Sequence, residues 1–90
     1  MTTINVTAED IKLGKQGLGD RCPVALALKR TYGVKYVSAG HHGITLFIGE
    51  GRLPKYLSYH TPRYVTEIMR KYDAEGVMEP FTFELPSIKL

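Results

Sequence analysis

Cysteine is nearly missing from these 90 residues: Cys22 stands alone. No internal disulfide can therefore form, and neither can a cysteine-based zinc site, which needs several thiolates or a Cys-Cys-His-His set. A lone thiol suits a reducing compartment. Long apolar runs are missing too, since no stretch approaches the ~18 apolar residues of a membrane span. The opening Met1-Thr2-Thr3-Ile4-Asn5-Val6 has no basic region followed by an apolar run, so the expectation is a chain neither exported nor membrane-spanning. Charge of one sign is scarce: twelve Lys and Arg against nine Asp and Glu leave +3, well short of a dense basic stripe. No Walker-type phosphate loop, nucleophile elbow, zinc-protease helix or acidic pair of catalytic spacing occurs, so the expectation is a protein that is not an enzyme and uses no cofactor.

What is present is an ordinary globular composition, 43% hydrophobic and 23% charged. It is enough for one core and too short for two, so residues 1–90 read as a single domain. Ile4-Asn5-Val6 reads as a strand, and Thr7 with Asp10 three residues on forms a capping box that opens a helix from Ala8 to Leu13. Gly14 stops that helix. Cys22-Pro23 begins a second, buried on more than one side, running through Val24-Ala25-Leu26-Ala27-Leu28 to Tyr32 and closed by Gly33. Val34 to Ser38 and Ile44 to Ile48 read as a hairpin around Gly40-His41-His42-Gly43. A tyrosine-rich connector that can hold a short edge strand follows. Thr61-Pro62 reads as cap and proline of a third helix, whose Tyr64, Val65, Ile68, Met69 and Tyr72 recur at helical spacing. Phe81, Phe83 and Leu85 alternate in a last strand. The order β-α-α-β-β-α-β predicts an α+β fold, a small mostly antiparallel sheet with helices on one face. The expected core is Val24, Leu26, Leu28, Ile44, Leu46, Ile48, Val65, Ile68, Met69, Phe81, Phe83 and Leu85.

Four groups of residues bear on chemistry. Cys22, beside Arg21 at a helix start, is either a reactive thiol or, as we expect, a small buried residue. Adjacent His41 and His42 point apart on an extended chain and chelate poorly, so no metal is expected. Arg70 and Lys71 read as a solvated helical face. The run from Arg52 to Tyr64 interleaves three basic residues with three tyrosines and ends on a helix N-terminus. It can hold a phosphate and stack a base, and it can equally be a core edge with solubilising charges.

The segments Ile4-Asn5-Val6-Thr7-Ala8-Glu9-Asp10-Ile11, Arg21-Cys22-Pro23-Val24-Ala25-Leu26-Ala27-Leu28, Tyr72-Asp73-Ala74-Glu75-Gly76 and Pro80-Phe81-Thr82-Phe83-Glu84-Leu85-Pro86 resemble a family of small uncharacterised bacteriophage proteins. The resemblance implies an accessory protein acting in the host cytoplasm, and it brings no catalytic residues with it. With the basic and aromatic run, it leads us to expect a non-enzymatic protein that sequesters a small anionic host ligand, a nucleotide immune signal. The pocket would be edged by Arg52, Tyr56, Tyr59, His60 and Arg63. The alternatives are an inhibitor that covers a host enzyme with the same residues and a weak single-stranded nucleic-acid binder. So short a chain with so many aromatics also predicts a homodimer.

Overall fold

Thr7 and Asp10 cap the start of the first helix as their spacing predicts. The Asp10 amide donates to the Thr7 hydroxyl at 3.2 Å, and the Thr7 amide donates to Asp10 Oδ2 at 2.9 Å. The computed structural model, which describes residues 1–17, 19–47 and 56–86, places eight elements along the chain. They are β1 (Thr2–Val6), α1 (Ala8–Leu13), α2 (Pro23–Tyr32), β2 (Tyr36–Ala39), β3 (Gly43–Phe47), β4 (Tyr56–His60), α3 (Arg63–Glu75) and β5 (Phe81–Leu85). The α+β class and the antiparallel pairing hold. The connector before α3 supplies the short edge strand β4. The strands divide into two sheets, β1 with β5 and β2-β3-β4 in sequence order.

Helix α2 joins the two sheets, for it contacts α1, β1 and β2. Pro23 occupies its first turn, where the missing N–H costs nothing. Gly33, in the left-handed conformation at φ 67°, ends it by donating to the Lys29 carbonyl. Close contact between α1 and α2 requires Gly14, since a Cβ there would lie 2.6 Å from Pro23 Cδ.

Ile4, Val6, Val24, Ala25, Ala27, Leu28, Val37, Ala39, Ile44, Leu46, Val65, Met69, Phe83 and Leu85 are buried in one core cluster together with Cys22. Burying a ring such as Phe83 contributes about 1.5–3 kcal/mol. Three expected core residues, Leu26, Ile68 and Phe81, are only half-buried. Leu26 lies on the side of α2 away from Val24 and Leu28, Ile68 sits at the margin of the buried face of α3, and Phe81 packs on Phe83 with ring centroids 6.0 Å apart. Ile48, also expected in the core, lies outside the described residues.

Long-range ties hold the end of α3 to the rest. Gln16 Nε2 donates to the Tyr72 carbonyl at 2.9 Å near the end of α3. Asp73 accepts the Gly17 amide on Oδ1 at 3.1 Å and meets His41 Nε2 with Oδ2 at 2.7 Å. One carboxylate thus joins the loop before α2 to the β2–β3 turn.

Candidate ligand-binding site

Hydroxyls build the site. Thr61 Oγ1 donates to the Gly40 carbonyl at 2.7 Å, and Thr66 Oγ1 donates to the His41 carbonyl at 2.6 Å. These bonds fasten the β2–β3 turn to the β4–α3 junction, which sequence order alone keeps apart. Thr61 is therefore not the helix cap that the Thr-Pro pair predicts. It is buried, its hydroxyl is engaged by the turn, and Pro62 takes the cap position with no side-chain bond. The first turn of α3 also holds no acidic residue. The positive end of a thirteen-residue helix is left without a side-chain acceptor from its cap.

Around this junction lies a hollow of about 410 Å3 lined by His41, His42, His60, Thr61, Arg63, Thr66, Glu67 and Arg70. Arg63 is almost fully exposed. Its Nε stands 3.8 Å from Glu67 Oε1, an exposed i,i+4 pair of small worth. The guanidinium is free to turn toward an anion. Arg70, which the sequence places on a solvated face, borders the same hollow. The spacing 63, 67 and 70 brings it back to one side of the helix.

The five residues expected to form the pocket separate. His60 and Arg63 line the hollow together. Tyr59 is half-buried against the core and, with His42 and His60, lines a neighbouring recess of about 290 Å3. Tyr56 stands on the opposite face of β4 from Tyr59, because successive strand residues alternate. It is four residues from His60, about 13 Å along the strand. Arg52 lies outside the described residues. The pattern that would have separated the two tyrosines, period-two alternation along β4, is present in the sequence. The hydroxyl ties that recruit His41, His42 and Arg70 have no local signature.

Cys22 is buried at the cap position of α2 and borders a cavity of about 250 Å3 with His41, Tyr72 and Asp73 among its lining residues. Burial raises its thiol pKa, and Asp73 raises it further. The backbone amides of Ala25 and Val24 act the other way without prevailing. The thiol stays protonated near neutrality, so Cys22 is not an activated nucleophile. Among the described residues no three His, Cys, Asp or Glu side chains come close enough to hold a metal ion, and no helix is long and apolar enough to cross a membrane. No family model matches this chain, and comparison with curated proteins and with solved structures gives no match.

Proposed function

We propose that the protein binds and sequesters a small phosphate-bearing anion, a nucleotide signal of the host, on the shelf between the β2–β3 turn and the start of α3. The observation that carries this reading is the pair of hydroxyl bonds from Thr61 and Thr66 to the turn. They gather Arg63, Arg70, His42 and His60 around a helix end whose cap residue makes no side-chain bond. Phosphate oxygens require N–H donors and cations, and the hollow's lining supplies two arginines beside the helix start, with Glu67 as its one carboxylate. Binding alone asks nothing of Cys22, whose thiol is buried.

The resemblance to small phage proteins supports the setting, an accessory protein in a host cytoplasm where removing a nucleotide signal would blunt a defence. An inhibitor of a host enzyme, or a homodimer, would instead bury tyrosine or other aromatic anchors beside its arginines, and no tyrosine or phenylalanine lines the hollow. The shelf offers charge and hydroxyls.

Calorimetry of the purified protein against a panel of linear and cyclic nucleotides and inorganic pyrophosphate tests the reading. The expected result is saturable binding by at least one nucleotide, with the melting temperature rising as ligand exceeds Kd. A panel that neither binds nor shifts the melting curve rejects it.

A further inference from the structure

Register, rather than sequence, assembles a second surface. Tyr36 on β2 pairs with Phe47 on β3, which pairs with Tyr56 on β4, so three aromatic rings stand in one row across the solvent face of the sheet. They are 69%, 43% and 62% exposed, and the Phe47 and Tyr56 ring centroids are 6.1 Å apart. The next row toward the shelf is Ser38, Thr45 and Ser58, and beyond it Gly43 pairs with His60. That face carries no carboxylate among the described residues. It runs from aromatic rings through hydroxyls to the basic shelf over about 13 Å, a distance set by the rise per strand residue.

We propose that this face binds single-stranded nucleic acid, its bases stacked on Tyr36, Phe47 and Tyr56 and its backbone running over the hydroxyl row to Arg63 and Arg70. Rings supply stacking that tolerates any base, hydroxyls meet base edges or sugars, and the cations meet phosphate. The inference rests on the shelf reading only for the phosphate end. A second copy of the chain is a poorer occupant. At about 200 Å2 per aromatic side chain, the row exposes roughly 350 Å2, less than half of the ~800 Å2 per partner of a standard interface.

Fluorescence anisotropy with labelled dT10 and rU10, beside calorimetry with the mononucleotides, tests this. The expected result is binding of one or both decamers more tightly than of the mononucleotide, and preference between the two distinguishes DNA from RNA. Tyr56→Ala and Phe47→Ala each lower decamer affinity about 5- to 150-fold. Tyr56→Phe keeps it, and all three variants keep the wild-type circular dichroism and any mononucleotide binding. With two arginines engaged, log Kobs falls against log salt with a slope of about −1.4. Decamers that bind no better than mononucleotides, or that bind both alanine variants like wild type, overturn the inference and leave the shelf reading standing. Ring-dependent decamer binding without any small-ligand binding does the reverse. A solution mass twice that of the chain, reduced to one chain by Tyr56→Ala, overturns it in favour of a second copy.

Discussion

Arg30 grips Asp10 with both ends of its guanidinium, Nη1 to Oδ1 at 2.6 Å and Nη2 to Oδ2 at 3.0 Å, while Nη2 also donates to the Asn5 carbonyl at 2.7 Å. The carboxylate that caps α1 is therefore also the anchor between α1, α2 and β1. Its side chain is 6% exposed and that of Arg30 50%. Burial alone would raise the Asp10 pKa, but the Arg30 bonds and the Thr7 bonds outweigh it, and the group ends below its ordinary value.

A folded-state pKa below the unfolded one means that the unfolded chain binds the proton more tightly. The stabilisation is then present above the ordinary carboxylate range near pH 4 and is lost as pH falls through the lowered folded value. Urea titrations between pH 7 and pH 2.5 should show that loss in wild type. Arg30→Ala should cost about 1–3 kcal/mol at pH 7, because it leaves a buried carboxylate without its cation, and should weaken the acid dependence. An unchanged dependence in the variant would mean that other carboxylates carry it.

At the shelf, Arg63→Ala and Arg70→Ala should each lower affinity for a nucleotide ligand about ten- to a hundredfold, the size of a charge-assisted bond of about 1.5–3 kcal/mol. Lys71→Ala, exposed on the same helix and absent from the hollow's lining, should bind as wild type does. Calorimetry on the three variants decides this, and equal loss in all three would point to general charge.

Thr66→Val keeps size and removes the bond to the His41 carbonyl. It should weaken ligand binding several-fold without changing charge, and cost about 1–3 kcal/mol of stability for the carbonyl left unpaired. Intact affinity in the variant would separate the β2–β3 turn from the binding surface.

Native Cys22 should react with a disulfide reagent at pH 8 far more slowly than the urea-unfolded chain does, since the folded thiol is both buried and raised in pKa. Timing colour release in the two states is sufficient. Comparable rates would return Cys22 to the reactive candidates.

Local chemistry made much of this legible beforehand. Thr7 and Asp10 placed α1 at its observed bounds, Gly33 and Gly76 stopped their helices in left-handed conformations, and the alternation of Phe83 and Leu85 placed their side chains in the core. The site is less legible, for reasons of distance along the chain. Thr61 looks like a helix cap until its hydroxyl meets Gly40, 21 residues earlier. His41 looks like a turn residue until Asp73, 32 residues later, meets it. Tyr56 and Tyr59 look like one aromatic pair until the pleat sends them to opposite faces. The row of Tyr36, Phe47 and Tyr56 exists only once two strand registers are fixed.

Thr2 opposite Leu85 sets a timetable for synthesis. Ile4 and Val6 are made well before Phe83 and Phe81, the residues that pair with them. At about 5–20 residues per second they wait roughly 4–16 s for Phe83 and Leu85. Throughout that interval the β2-β3-β4 hairpins and α2, built from neighbours in the chain, can form first. Until β5 is made β1 is an unpaired apolar strand, so a chaperone that holds such strands has its opportunity before β5 pairs and little afterwards.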